Sequence, residues 1–210
     1  MAESLIQAAR LTLSLGLNEL SSGNLSVRLG DGLLITPSAI PFDQLLETDL
    51  AIMDMSGEVL GGDRRPSSEW PFHTAIYKAR PDVRAIVHTH SPEATALSCL
   101  REPIPSFHYM VAMLGGHTIP CSGYAMPGSR ELADLVVEAL GTLGGCLMAN
   151  HGVIAVGQDL GAALNRAQLI ETLAGQYLRL RQVGGGVMLT HEEMDQMLDA
   201  FKTYGKPGRR

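Results

Sequence analysis

Two histidines one residue apart close an apolar run, Ala85-Ile86-Val87-His88-Thr89-His90. A third follows a second such run, Cys146-Leu147-Met148-Ala149-Asn150-His151-Gly152. The first run is β-branched, which is the composition of a buried strand. Side chains at i and i+2 of a strand leave the same face. His88 and His90 can therefore point at one atom, and His151 can complete a three-nitrogen set. Three protein ligands with an open position are the pattern of catalytic zinc, whereas structural zinc is usually closed by four. A bare His-x-His also arises by accident on surfaces and in cores, so the surrounding sequence has to decide.

Pro66-Ser67-Ser68-Glu69 has the composition of a helix start: serines to cap, an acid for the first turn, and Pro71 early enough to be tolerated. The N-terminus of a helix offers unpaired N–H groups and a positive dipole end, which suit a phosphate, and the Ser67 and Ser68 hydroxyls add donors. The plainer reading is an N-cap, with Glu69 satisfying the dipole. Facing a metal instead, Glu69 is a carboxylate able to alternate between ligand and proton carrier. The turns Ser21-Ser22-Gly23-Asn24-Leu25-Ser26 and Thr36-Pro37-Ser38-Ala39 are explained by turn chemistry alone. Together with Ser67 and Ser68 they can also form a phosphate cradle that needs little formal positive charge.

The elements that must position these residues follow from periodicity and punctuation. Leu5, Ile6, Ala9, Leu13 and Leu17 predict a helix over 3–18, and short strands follow at 24–28, 32–36 and 50–54. A helix is expected from Pro66 to about Ala79, a strand over 83–89, and a helix opened by Ser91-Pro92-Glu93. A strand near 117–121 leads to a helix opened by Ser129-Arg130-Glu131. The runs 145–149 and 152–156 form a tight strand pair, and helices span 159–182 and 191–203 around the Gly184-Gly185-Gly186 break. Strands joined by short turns, with helices between some of them, predict an α/β fold whose mixed, mainly antiparallel sheet is covered by helices. The lack of a regular βαβ rhythm argues against a Rossmann unit or a TIM barrel.

With 210 residues, 45% of them hydrophobic, the chain can bury a substantial core, and one domain over 1–210 is expected. A net charge of −6 argues against a nucleic-acid or anionic-membrane surface. No apolar stretch approaches the ~20 residues of a membrane span. Met1-Ala2-Glu3-Ser4 lacks a basic leader pattern, and Cys99, Cys121 and Cys146 are odd in number and scattered. A cytoplasmic protein with reduced thiols is the expectation.

Ser-Gly-Asn-Leu-Ser, Leu-Ile-Thr-Pro-Ser, Pro-Ser-Ser-Glu-Trp, Val-His-Thr-His, Ile-Pro-Ser-Phe-His-Tyr-Met, Asn-His-Gly and Phe-Lys-Thr-Tyr-Gly occur here in sequence. In order and near-spacing they resemble the class II aldolase/adducin family, and in particular its members that cleave L-fuculose 1-phosphate. The resemblance runs from the first helix to Tyr204. It implies a three-layer α/β/α sandwich on a largely antiparallel sheet and a homotetramer with sites between subunits. It implies His88, His90 and His151 as zinc ligands, joined in the resting site by Glu69, which moves off to carry a proton when substrate binds. Asn24, Ser38, Ser67 and Ser68 match phosphate-binding positions, with backbone help from Gly23 and Ala39. Tyr109 matches a tyrosine that reaches a neighbouring subunit's site and handles the proton on the aldehyde oxygen. Tyr204 matches a residue that closes over the aldehyde end.

Two departures matter. Thr36-Pro37-Ser38-Ala39 stands where the family has Thr-Pro-Thr-Gly, a change that a backbone contact survives. Met126-Pro127 stands where the family carries an aromatic residue lining the aldehyde pocket. Methionine is soft and adaptable, and it suits a less polar aldehyde, so 5-deoxy- and 5-methylthio-ribulose 1-phosphates join the L-fuculose type as expected substrates. The implied reaction releases dihydroxyacetone phosphate and an aldehyde. Lys78, Lys202 and Lys206 are the only lysines, one in a helix and two in the tail, which argues against a Schiff-base route. Three imidazoles and a carboxylate also accept manganese or cobalt. The competing readings are a methylthioribulose-1-phosphate dehydratase, a pentulose-phosphate 4-epimerase, and a non-catalytic module of the adducin kind. His73 and His117 are read as core or surface histidines, and the role of His108 beside Tyr109 stays open.

Overall fold

A computed structural model describes residues 1–204; Gly205 and Lys206 lie outside the described residues. Six α-helices and eight strands alternate along the chain: α1 (Ala2–Ser14), β1 (Asn24–Leu29), β2 (Gly32–Ile35), β3 (Ala51–Asp54), β4 (Val59–Gly61), α2 (Trp70–Ala79), β5 (Ala85–Thr89), α3 (Pro92–Ser98), β6 (Cys121–Ser122), α4 (Arg130–Leu140), β7 (Gly145–Met148), β8 (Gly152–Gly157), α5 (Leu160–Gln182) and α6 (His191–Phe201). The strands form one sheet in the order β4-β3-β2-β1-β5-β8-β7-β6. Every pairing is antiparallel except β6 with β7.

Strands β5, β7 and β8 are buried at every position, because helices cover both faces of the sheet. Val87, Leu147, Val153 and Ala155 pack on one face with Leu5 and Ala9 of α1, Leu97 of α3, Ile170 of α5 and Met194 of α6. Ile86, Cys146, Ile154 and Val156 pack on the other with Phe72 and Ile76 of α2 and with Leu132 and Val136 of α4. The period-2 alternation of each strand thus feeds two apolar layers, giving the expected three-layer α/β/α arrangement.

Several boundaries differ from the sequence expectation. The first helix stops at Ser14, not residue 18, because the amides of Leu17 and Asn18 both turn back to the Thr12 carbonyl. The second begins at Trp70, not Pro66: Pro66 bridges Pro37, and the Ser67 amide donates to Thr36 O at 3.0 Å. Long-range pairing therefore overrides a local cap signal. The strand expected near 117–121 shrinks to Cys121–Ser122, and the last helix ends at Phe201. β4, an edge strand with an exposed pattern, carried no apolar alternation to announce it.

Candidate metal centre and substrate cavity

His88 lies on the central strand, opposite Asn24 of β1 and Ile154 of β8. His90 follows just beyond the strand end, and His151 sits in the turn between β7 and β8. That turn can pass close to β5 because Gly152 has no side chain: a Cβ there would meet Thr89 O at 2.4 Å and the His90 ring at 3.0 Å. Asn150, with φ +53, takes the left-handed conformation that asparagine tolerates. The two His-x-His rings and the third imidazole do converge. His88 Nε2 and His90 Nε2 are 3.0 Å apart, and one ligand atom each from Glu69, His88, His90 and His151 lies within 4.8 Å of all the others.

Glu69 occupies the N-cap position of α2 but makes no capping bond. Its carboxylate turns inward instead, with Oε2 3.1 Å from His88 Nε2 and Oε1 3.2 Å from His151 Nε2. Asn24 Nδ2 donates to Oε2 at 2.9 Å. Burial pushes the Glu69 carboxyl up, but His88 and His151, as neighbouring charges and hydrogen-bond donors, outweigh it and hold the group well below the usual carboxylate range. Burial, with the charges at His88 and His151, pushes His90 down to about 3, which keeps its imidazole neutral.

His88 Nδ1 is 2.8 Å from the Val153 carbonyl, so Nδ1 carries the proton that bond requires. Its Nε2 is left facing a carboxylate oxygen and another imidazole nitrogen. Such a convergence of acceptors is stable only with positive charge among them, supplied by protons or by a cation. Three imidazole nitrogens and a carboxylate, one imidazole fixed by an outer carbonyl, are a donor set that suits a divalent transition metal.

A cavity of about 560 Å³ opens beside this cluster. Its lining combines Ser21, Ser22, Gly23, Asn24, Pro37, Ser38, Ala39, Ser67 and Ser68 with Glu69, His90 and His151 of the cluster and with Tyr124, Pro127 and Asn150. The hydroxyl-rich turns singled out in the sequence thus meet at one place. The free helix terminus expected there does not: the Ser67 amide is taken by Thr36 O, Ser68 N by Ser38 Oγ at 3.0 Å, and Glu69 N by Ser67 Oγ at 3.3 Å. Among the described residues, the amides of Gly23 and Ala39 have no partner, and both residues hold positive φ, +73 and +61. Gly23 is required as glycine, since a Cβ would stand 2.5 Å from His88 O. No lysine or arginine lines this cavity among the described residues.

Met126, Tyr109 and Tyr204 are not among the lining residues and are 70%, 46% and 75% exposed. Tyr109 stacks between His108 and Phe201, and Phe201 meets Tyr204 edge-on, so an aromatic cluster stands outside the chain's own cavity.

The sequence did not reveal the supports behind the site. His73, fully buried, donates through Nε2 to Asn24 Oδ1 at 2.5 Å and pairs through Nδ1 with Ser26 Oγ at 2.7 Å, which also meets Tyr77 OH at 2.9 Å. Asn18 accepts from the His90 amide at 2.9 Å. The only local signal for His73 is its place one turn beyond Glu69, on the same helical face. Asn18 had none.

The comparisons agree with this architecture. Residues 3–178 match the Class II Aldolase and Adducin N-terminal domain. The chain is 50% identical over 201 residues to the 5-methylthioribulose-1-phosphate/5-deoxyribulose-1-phosphate aldolase of Rhodospirillum rubrum, covering 96% of this chain and 90% of that protein. It is 43% identical over 206 residues to the L-fuculose phosphate aldolase of Escherichia coli K12, covering 98% and 95%. A solved L-fuculose 1-phosphate aldolase structure superimposes with a TM-score of 0.92 at 38% identity over 96% of this chain and 95% of that one. With its sheet, its histidine–glutamate cluster and these likenesses, the chain belongs to the class II aldolase and adducin family, as one of its aldolases, which are lyases.

Proposed function

We propose that this chain is a zinc-dependent aldehyde-lyase that reversibly cleaves a ketose 1-phosphate to dihydroxyacetone phosphate and an aldehyde. The observation that carries the proposal is a His/Glu cluster of which Glu69, His90 and His151 line a cavity, together with serine hydroxyls and, among the described residues, two unpaired amides. Successive amides around a positive-φ residue make an anion-binding concavity. The phosphate is assigned to Gly23, Asn24, Ser38, Ala39, Ser67 and Ser68. This fits an acidic chain, with a net charge of −6, whose cavity has no basic side chain among the described residues.

Held by His88, His90, His151 and Glu69, a divalent cation would supply Lewis-acid stabilisation of the negative charge that develops on the ketose. The chain's own groups do the rest. The phosphate cradle fixes one end of the ketose and aligns the C3–C4 bond. The C4 hydroxyl proton is relayed to solvent through Tyr109 of a neighbouring subunit, whose phenol releases its own proton as it accepts that one. The C3–C4 electron pair passes into the C2–C3 enediolate as C4 becomes the aldehyde carbon. Glu69, once it has left the imidazoles and taken a proton from solvent, delivers that proton to C3 and returns to the carboxylate form. Lys78 and Lys202 lie outside the cavity, in keeping with the absence of a Schiff-base step.

The aldehyde end is assigned to Met126, Pro127 and Tyr204. Pro127 lines the cavity while Met126, its chain neighbour, is exposed outside that lining; a proline and a methionine offer apolar contact with little polar function. Together with the R. rubrum likeness, this favours 5-methylthio- and 5-deoxy-ribulose 1-phosphates over L-fuculose 1-phosphate as substrates. On this reading residues 1–210 form one domain, and the protein is a homotetramer working in the cytoplasm. No helix among the described residues is long and apolar enough to cross a membrane. Manganese or cobalt fits the same donors.

The test is a coupled assay for dihydroxyacetone phosphate release from L-fuculose, L-rhamnulose, 5-deoxyribulose and 5-methylthioribulose 1-phosphates, with metal content measured on the same sample. Release from one or more of them, abolished by chelation and restored by zinc, is expected. Loss of water without carbon–carbon cleavage would identify a dehydratase, and inversion at C4 of a 5-phosphate an epimerase.

A further inference from the structure

The three imidazoles are not held alike. The outer ring nitrogen of His88 is tied to the Val153 carbonyl, whereas Nδ1 of His151 is buried with no partner among the described residues. The aim of the His151 ring must therefore come from the backbone of its turn, which includes the left-handed Asn150. The C-terminal end of α3 grips that turn. The Ser98 carbonyl accepts from the Asn150 amide at 3.1 Å. The His151 amide is shared between Met148 O at 3.0 Å and Ser98 Oγ at 3.3 Å; Ser98, fully buried, donates in turn to Thr95 O at 2.8 Å. Arg101 Nε donates to Asn150 Oδ1 at 2.7 Å. The opposite end of α3 starts two residues after His90, and its Glu93 and Ala94 amides donate to the Glu171 carboxylate of α5 at 2.9 and 2.8 Å.

We propose that α3 is a strut setting His151 against His88 and His90, with Ser98 and Arg101 as positioning residues for the metal centre. This rests on the reading of the cluster as a divalent metal site. Neither residue touches the cation. Each acts through the turn, and each replaces a ring contact that His151 lacks and that metal-binding histidines ordinarily have. Arg101 adds a second function: its guanidinium carbon lies 5.6 Å from the centre of the Tyr124 ring, so it also steadies a cavity-lining side chain.

The experiment titrates metal-stripped, full-length wild type, Ser98→Ala, Arg101→Ala and Arg101→Lys with zinc against a chromophoric chelator. It also records the visible spectrum of each cobalt-loaded form and the urea midpoint of each metal-free form. Ser98→Ala and Arg101→Ala should each lose roughly tenfold in affinity, with an altered cobalt band and an unchanged metal-free midpoint. Arg101→Lys, which keeps a donor, should recover part of the loss. Wild-type affinity and band in both alanine variants would overturn the strut and leave the metal reading standing. Affinity that falls only in step with the metal-free midpoint, with the cobalt band unmoved, would overturn it too. Wild type that binds neither ion overturns both readings.

Discussion

Asn24 joins the two halves of the site: its side-chain nitrogen donates to Glu69 Oε2 at 2.9 Å while its oxygen accepts from His73 Nε2 at 2.5 Å. The residue sits at the first position of β1, directly opposite His88 of β5. The sheet register therefore places the cavity wall and the metal cluster together. A directed chain of buried hydrogen bonds, from Tyr77 and Ser26 through His73 to Asn24 and Glu69, fixes the carboxylate from behind.

Replacing Asn24 by alanine should leave the His73 donor without its partner and free one Glu69 oxygen. An orphaned buried donor costs about 1–3 kcal/mol, so the urea unfolding free energy of the metal-free variant should fall by that amount. KM for the ketose phosphate should rise in the same protein, because a cavity-wall amide is lost. Unchanged stability would show that the His73–Asn24 bond carries no weight in the fold.

Glu69→Gln preserves shape and the Asn24 contact but removes the charge and the exchangeable carboxyl proton. The fold should survive, metal should be held more weakly, and solvent exchange at C3 of dihydroxyacetone phosphate should slow by about 10²–10⁴-fold. The exchange is read by NMR in deuterated solvent with saturating zinc. Exchange at the wild-type rate would remove Glu69 from proton transfer and leave it a ligand only.

His73 makes the metal-free protein acid-sensitive. Burial, aided by His88 and opposed by Glu69, pushes its imidazole down to about 3, while in the unfolded chain it titrates near ~6.5. The unfolded state therefore takes up a proton first as pH falls. The stabilising effect is complete above the unfolded value and is lost as pH drops from there towards the folded one. Between pH 7 and pH 5 this group alone should remove about 2 kcal/mol. Urea titrations at the two pH values, on wild type and His73→Gln, should show a smaller loss in the variant. Equal losses would mean that His73 is not held neutral.

The sequence made the chemistry readable where a local period carried it. His88 and His90 share a face because strand side chains alternate, and the two runs flanking His151 pair as β7 and β8. Resemblance then supplied what spacing could not, namely which distant histidine and which acid close the set. The helix start at Pro66 was misplaced because Pro-Ser-Ser-Glu imitates a cap, while Thr36 and Pro37, some 30 residues away, hold that segment extended. Asn24 and Glu69 are 45 positions apart, and His151 and Ser98 are 53 apart. Such pairs exist only through the sheet order and the packing of α3, and no local pattern encodes them.

The position of Tyr109 gives a test of assembly. Its ring stacks on Phe201, half exposed and outside the chain's own cavity, so a role in proton transfer requires that it enter a neighbour's site. Light scattering should then give four times the 22.5 kDa chain mass. His90→Ala should lose metal and activity, and Tyr109→Phe should keep metal but cleave slowly. Neither variant has a complete site when assembled alone. In a cyclic tetramer assembled from equal amounts of both, a complete site forms wherever a Tyr109→Phe chain, with its histidines intact, meets the tyrosine of a His90→Ala neighbour. Random mixing around the ring makes about a quarter of the sites complete, so cleavage should return to roughly that fraction of wild type after co-refolding. If each chain used its own tyrosine, no mixed site would be complete and activity would stay at the level of the separate variants.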